Sequence, residues 1–146
     1  MCIIVVKPQG VKLPDEKLLR ACFENNKDGA GYMYSVDPID KNKDGAVIIR
    51  KGFMTIQALL NSLAATNITA DNVIVYHFRI ATHGDITPEN THPFSIETSI
   101  KSLKSLKVVT DMGLVHNGIL PIKPRYGLSD TQEFIASFLS LEEIKK

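Results

Sequence analysis

The chain has 146 residues, 44% hydrophobic and 23% charged, which is an ordinary composition for one globular domain with its own core. Its formal net charge of +1 does not indicate the excess of basic residues that binds nucleic acid or a membrane surface. No apolar run approaches the roughly 20 residues that a membrane span requires. The two cysteines, Cys2 and Cys22, have no CxxC spacing and no signal peptide precedes them. We therefore expect a cytoplasmic protein with no nucleic-acid partner and no membrane partner.

The first half of the chain predicts alternating strands and helices. Residues 2–6 are apolar and β-branched, which predicts a strand buried on both faces. Segment 14–23 places its apolar residues at helical spacing, so they are expected in the core: Leu18, Leu19, Cys22 and Phe23. Cys22 is thus not expected to pair with Cys2. Segments 32–36 and 46–52 predict a β-hairpin joined by the polar residues 37–45.

Three features complete the first half. Gly29 and Gly31 lie in a turn-rich loop and would permit positive φ or a close backbone approach. Thr55 is the expected N-cap of a helix over 55–65. Residues 73–79 then predict another strand.

The second half is less regular. Residues 85–94 predict a loop, and segment 99–106 fits either a short helix or an exposed strand. Residues 112–120 predict two strands joined by a tight turn at Asn117-Gly118. A final helix is expected from Asp130, with Ser129 or Asp130 as N-cap and Gln132 or Glu133 completing a capping box.

Cys2 is the first residue whose chemistry suggests a function. Removal of Met1 would leave a thiol and an α-amine on the same residue. The reference pKa of a thiol is about 8.5 and that of an α-amine about 8, so the amine could take the thiol proton and later deliver it to a leaving group. The alternative is that Cys2 is a small core residue that opens a buried strand.

Six short motifs occur along the chain in a fixed order. They are Met1-Cys2, 28–31 (DGAG), 77–84 (HFRIATHG), 90–93 (NTHP), 115–118 (VHNG) and 129–131 (SDT). This order resembles the N-terminal-nucleophile (Ntn) class II glutamine amidotransferases, as in the glutaminase domain of hexosamine-phosphate synthase. The resemblance covers nearly all of this chain but only about the first two-thirds of the family domain.

The resemblance implies a catalytic centre at three residues. Cys2 would attack the side-chain amide of glutamine, release ammonia and form a thioester that water hydrolyses. Its α-amine would be the general base and acid. Asn117 and the backbone N–H of Gly118 would form the oxyanion hole, where losing one donor typically costs about 10²–10³ in rate.

The resemblance also implies a substrate pocket. Arg79 would hold the α-carboxylate of glutamine and Asp130 its α-ammonium group, while Thr82, His83 and His116 would line the same pocket. An amino acid substrate requires one fixed cation and one fixed anion, which agrees with this pairing. Taken singly, Arg79 could form a surface ion pair, the turn at 117–118 could be only a hairpin, and Asp130 could be only an N-cap.

No metal and no other cofactor is expected. The histidines at 77, 83, 92 and 116 lack the i,i+4 spacing of a helical zinc pair, and no carboxylate or cysteine completes a familiar ligand set. The chain departs from the family at Ile3, Asn25 and Ile80, where glycine, arginine and an aromatic residue are common. Its C-terminal side is also shortened, with 13 positions from Asn117 to Asp130.

The resemblance implies an α+β fold, an Ntn-hydrolase-like αββα sandwich whose second half is reduced, in a single domain over 1–146. Exposed apolar surface and strand edges would then need a cover, such as a homodimer or a partner protein. The expected function is glutaminase-type hydrolysis that supplies ammonia to an acceptor synthetase in trans. The alternatives are an N-terminal cysteine hydrolase of another small amide, and a catalytically degenerate protein that binds glutamine or a partner.

Overall fold

The computed structural model describes residues 1–36, 45–81 and 85–139. Its elements, in chain order, are β1 (Ile3–Lys7), α1 (Glu16–Asn25), β2 (Ala30–Val36), β3 (Ala46–Phe53), α2 (Ile56–Ala64), β4 (Ile74–Phe78), a 3₁₀ turn (Pro88–Asn90), β5 (Phe94–Ser95), α3 (Ile100–Lys104), β6 (Lys107–Thr110), β7 (Gly113–Leu114) and α4 (Asp130–Phe138). The mixed α+β class is confirmed. None of the helices in these ranges is long and apolar enough to cross a membrane.

Five strands form one antiparallel sheet in the order β1-β4-β2-β3-β6. The predicted hairpin is confirmed, because β2 pairs with β3 along its whole length, from Ala30 opposite Phe53 to Val36 opposite Ala46. Most of the polar connection predicted between them, residues 37–44, lies outside the described residues. β5 and β7 form a second sheet of two strands.

Helices α1 and α2 cover one face of the large sheet. Alternate residues of β2 and β4 place Tyr32, Tyr76 and Phe78 on this face, and each is at most 2% exposed. The ring of Tyr32 stacks on Phe53 at 5.8 Å, and Leu59 of α2 is fully buried against the same cluster. Burial of each large side chain stabilises the fold by about 1.5–3 kcal/mol relative to its exposure.

The other face carries the small sheet, followed by α3 and α4. A side-chain atom at Gly113 in β7 would lie 2.6 Å from the sulfur of Met33 in β2, so glycine lets the two sheets approach closely. On this side lies a second apolar cluster, formed by Phe94 of β5, Ile96, Leu103 of α3 and Ile135 of α4. The large sheet therefore has α1 and α2 on one face, and the small sheet with α3 and α4 on the other.

The two glycines of the turn-rich loop have the predicted properties. Gly29 has φ +109°, a conformation that residues with a side chain rarely adopt. Gly31 lies directly beneath the backbone carbonyl of His92, and a side chain there would clash with that carbonyl. Together they let segment 90–93 pack on the sheet beside the end of β4.

Several predictions about the elements were wrong. β1 is not buried on both faces, because it lies at an edge of the sheet and Val6 is 59% exposed. Leu18 is 46% exposed although Cys22 is in the core as expected. Asn117-Gly118 is not a hairpin turn, since no strand follows β7 in the described residues.

Helices α2, α3 and α4 each begin at a polar N-cap residue. The ambiguous segment 99–106 contains the short helix α3, capped by Ser99. Strand β6 was not predicted. Thr55 caps α2 and accepts a hydrogen bond from the Ala58 N–H at 3.2 Å, as expected. Ser129 caps α4 in a capping box with Gln132.

Candidate functional site

The carboxamide of Asn117 holds the backbone of Cys2 from the other end of the chain. The Cys2 N–H donates to Asn117 Oδ1 at 2.9 Å, and Asn117 Nδ2 donates to the Cys2 carbonyl at 2.9 Å. The orientation of the amide is fixed by this pairing, because an N–H can only donate and a carbonyl can only accept. Two hydrogen bonds thus tie residue 2 to the segment that follows β7.

The thiol of Cys2 faces the segment that follows β4. β1 pairs with β4 so that Ile3 lies opposite Phe78, which brings Cys2 beside the residues after that strand. Cys2 Sγ lies 3.7 Å from the Ile80 carbonyl, a weak hydrogen bond in which the thiol donates.

The DGAG loop (28–31) holds the segment that follows β4 by hydrogen bonds. Asp28 Oδ2 accepts a hydrogen bond from the Ala81 N–H at 2.8 Å, and the Asp28 N–H donates to the Arg79 carbonyl at 3.1 Å. The Arg79 N–H in turn donates to the Gly29 carbonyl at 2.8 Å. Residues 79–81 are consequently held in place although β4 has ended at Phe78.

Arg79 is a largely buried cation at the cavity. It is 6% exposed, and its Nη1 donates to the Asp85 carbonyl at 2.9 Å. Burial lowers the pKa of the Arg79 guanidinium, while the charges of Cys2, Asp28 and Asp130 act in the opposite direction. An anion bound here would be attracted strongly, since a partly desolvated charge is poorly screened by water.

Asp130 is the first residue of α4 and presents its carboxylate to the cavity. Oδ2 accepts from the Leu120 N–H at 2.8 Å and Oδ1 from the Thr131 N–H at 2.8 Å. Thr131 Oγ1 is a second donor to Oδ1, at 3.4 Å, and Oδ2 can accept a second hydrogen bond. Thr131 Oγ1 lies 3.3 Å from Nδ1 of His116, which orients that imidazole at the cavity wall.

Two stacked histidines lie beneath the site. The rings of His77 and His92 are 4.3 Å apart, and His92 lines the cavity. His77 Nε2 is 3.1 Å from the His116 carbonyl, so the proton must be on Nε2. Burial lowers the pKa of His77 to about 4, and burial followed by the charge of His77 lowers the pKa of His92 well below its usual range. Both rings are neutral at pH 7.

A cavity of about 260 Å³ joins these groups. Its lining includes six of the eight predicted site residues: Cys2, Arg79, His116, Asn117, Gly118 and Asp130. The other two, Thr82 and His83, lie outside the described residues. Gly118 has φ +146°, so glycine is favoured beside Cys2.

Sequence reasoning missed three residues of this site. Asn90 lines the cavity and donates from Nδ2 to the Asp85 carbonyl at 3.2 Å, while Thr131 orients His116 as described above. Asn26 donates to the Met1 carbonyl beside Cys2. Asn90 and Thr131 fall within two of the quoted motifs, which was an available signal. Asn26 had none, because its partner is 25 positions away.

Within residues 1–36, 45–81 and 85–139, no group of three or more His, Cys, Asp or Glu side chains is arranged to hold a metal ion. The site instead offers a thiol, a cation, a carboxylate and amide donors around one small cavity. Comparison of the chain with protein-family models, with curated proteins and with solved structures finds no match.

Proposed function

We propose that this chain is a glutaminase-type amide hydrolase whose nucleophile is Cys2 after release of residue 1. One observation carries the proposal: Asn117 binds both backbone polar groups of Cys2, at 2.9 Å each, inside a cavity that also contains Arg79 and Asp130. A cysteine held only for packing would not need such a clamp across 115 positions. The oppositely charged pair suits an α-amino acid substrate.

The arrangement of helices and sheets supports a reduced Ntn-hydrolase-like αββα sandwich as the fold. Two helices cover one face of the large sheet, the small sheet lies against its other face, and α3 and α4 pack with Phe94 of the small sheet. A two-stranded second sheet would correspond to the reduced half. The exposed edge residues Val6 and Val109, at 59% and 64%, are places where a homodimer or a partner protein could cover the fold.

In the proposed binding step, glutamine enters as a zwitterion. The guanidinium of Arg79 pairs with its α-carboxylate, where a planar fork can make two parallel hydrogen bonds. Asp130 accepts from its α-ammonium group with the remaining lone pairs of its carboxylate. The cavity of about 260 Å³ is below the roughly 300–1,000 Å³ usual for drug-sized ligands, which fits a single amino acid.

In the proposed acylation step, Cys2 Sγ attacks the side-chain amide carbon. The α-amine of Cys2 takes the thiol proton and passes it to the departing ammonia, which leaves a thioester. Asn117 has two amide hydrogens, so it can hold the Cys2 carbonyl with one and offer the other to the oxyanion, together with the Gly118 N–H. Water then attacks the thioester and releases glutamate.

The ammonia would be consumed by an acceptor synthetase in trans, because only the glutaminase half-reaction is proposed for this chain. The second candidate function is a degenerate protein of the same fold that binds glutamine or a partner without turnover. It would hold if residue 1 stays attached, because the Cys2 nitrogen is then an amide that donates to Asn117, and an amide nitrogen is not a base. Processing of residue 1 therefore separates the two candidates.

The test is an intact mass before and after incubation with a diazo-ketone analogue of glutamine. Loss of residue 1 and one adduct on Cys2 is expected, and Cys2→Ala should take up none. Cys22→Ala is the matched control, because Cys22 is a buried core cysteine and should not affect labelling. Retained residue 1 without an adduct would favour the binding protein. A processed Cys2 that ignores the reagent would argue against glutamine as the substrate.

A further inference from the structure

Asn26 binds the backbone on the other side of the Cys2 nitrogen. Its side chain is buried, at 5% exposure, and Nδ2 donates to the Met1 carbonyl at 2.9 Å and to the Phe78 carbonyl at 3.2 Å. The N–H of Asn26 also donates to the Cys22 carbonyl at 3.0 Å, which ends α1. The carboxamide is therefore held in a fixed position.

The two asparagines approach residue 2 from opposite sides. In a trans peptide the N–H and the preceding carbonyl point in opposite directions. Asn117 accepts from the Cys2 N–H, whereas Asn26 donates to the Met1 carbonyl oxygen, which is two covalent bonds from the same nitrogen. The Cys2 nitrogen thus lies between an acceptor on Asn117 and a donor on Asn26.

Release of residue 1 removes one acceptor from Asn26 and leaves the other, the Phe78 carbonyl. A buried amide hydrogen without a partner is unfavourable, so another oxygen should occupy the position of the Met1 carbonyl oxygen. That position lies next to the new α-amine. Water fits there, because it can accept from Asn26 and donate to the amine nitrogen at the same time.

We propose that Asn26 binds the water that hydrolyses the thioester; this inference rests on the proposed function. The water oxygen forms a bond to the thioester carbonyl carbon as the C–S bond breaks. One water proton passes to the α-amine of Cys2 and from there to the departing thiolate, which regenerates the thiol and releases the carboxylic acid. Asn26 orients the water and takes no part in the preceding loss of ammonia.

The proposal predicts that substitution of Asn26 slows deacylation selectively. Asn26→Ala should lower the rate of thioester hydrolysis about 5- to 10-fold, the equivalent of one hydrogen bond of about 1 kcal/mol. Acylation, followed as the first equivalent of ammonia released, should change less than deacylation. The acyl-enzyme should then accumulate in an acid-quenched intact mass.

Hydroxylamine provides a second measurement on the same variant. It attacks the thioester directly and does not need the water position, so the rate of hydroxamate formation should stay close to wild type. Asn25→Ala is the matched control, because Asn25 Nδ2 bonds only the Ala21 carbonyl of its own helix in the described contacts, at 2.8 Å and exposed. Asn25→Ala should keep the wild-type ratio of thioester hydrolysis to hydroxamate formation.

The outcomes separate the two levels of inference. If Asn26→Ala slows acylation and deacylation equally, or slows hydroxylamine transfer as much as hydrolysis, the water role is overturned while the glutaminase stands. If processed wild type releases no ammonia and forms no thioester, the proposed function fails and the inference fails with it.

A crystal structure of the processed wild-type protein tests the inference without any substitution. We expect an ordered water within hydrogen-bond distance of both Asn26 Nδ2 and the Cys2 nitrogen. An Asn26 amide that has turned to other protein groups, with no water at that position, would overturn the proposal.

Discussion

Asn117 gives the sharpest test of the proposed site, because it contacts both polar groups of the Cys2 backbone. Asn117→Ala removes two hydrogen bonds, each contributing about 1 kcal/mol net. The reactive position of the nucleophile should therefore lose about 2 kcal/mol of stabilisation. That corresponds to a fall of about 30-fold in kcat. Loss of the oxyanion donor would add to this fall, and glutamine affinity should change much less, since Asn117 is not assigned to the zwitterion.

Asn117→Asp separates electrostatics from positioning. The carboxylate replaces an oxygen that is 2.9 Å from the Cys2 nitrogen, which carries a positive charge when the processed amine is protonated. Two unit charges at that distance in bulk water attract by about 1.4 kcal/mol. The acidic limb of the pH–rate profile should therefore move upward by about one pH unit.

The assay is steady-state glutamine hydrolysis between pH 5 and 9, on protein whose processing has been verified by mass. Asn61→Ala is the matched control, because the Asn61 side chain bonds only Gln57 within α2 in the described contacts and is remote from the cavity. Wild-type turnover by Asn117→Ala would refute the assignment of Asn117. Equal losses in affinity and turnover would refute the oxyanion role.

Three further predictions concern charge. Arg79→Ala in a Cys2→Ala background should weaken glutamine binding about 10- to 100-fold by calorimetry, since a charged hydrogen bond contributes about 1.5–3 kcal/mol; unchanged affinity would exclude the carboxylate role. His77, with its pKa lowered to about 4, should make the free energy of unfolding fall by up to about 3 kcal/mol as the pH drops from 6.5 to 4, because the unfolded state binds the proton first; a flat urea midpoint over that range would contradict the buried neutral ring. Lys51, 4% exposed and with its pKa lowered by burial to about 7, should make stability rise from pH 7 towards 10, and Lys51→Met should remove that rise.

Local signals predicted the helices and the hairpin well. The cap of α4 depends on Ser129 and Gln132, three residues apart, so the sequence contains the whole interaction. The same holds for Thr55 and α2. The starts of α2 and α4 are each specified by residues within one turn of each other, and tertiary packing did not override these local interactions.

Predictions that required the position of an element in the sheet were less successful. The apolar residues 3–6 are typical of a buried central strand, yet β1 pairs only with β4 in the described sheet. Lys51 stands between Arg50 and Gly52 near the end of β3, and a lysine is usually exposed in such a position. It is instead buried, with Nζ bonded to the Glu89 and Leu103 carbonyls and 3.9 Å from the Phe94 ring centre. The 3₁₀ turn, α3 and the small sheet supply those partners, and periodicity does not reveal them.

The sequence predicted which residues line the site, but it did not predict which of them contact each other. The motif order indicated Cys2, Arg79 and Asp130, and these residues do line one cavity. The contact of Asn117 with the Cys2 backbone depends on how the segment after β7 meets the edge strand, 115 positions away. Asn117-Gly118 was predicted to be a turn because the dipeptide alone is typical of one.

The edge position of β1 bears directly on the proposed function. Release of residue 1 requires that a processing enzyme can reach the bond before Cys2. Met1, which precedes the edge strand, is 92% exposed, while Cys2 is half-buried and bound through its backbone to Asn117. Of the described side chains, Asn26 bonds the carbonyl that leaves with residue 1, and Asn117 bonds the atoms that remain. Release of residue 1 would therefore alter the contacts of Asn26 and leave the clamp on Cys2 in place, which is what a nucleophile activated by processing requires.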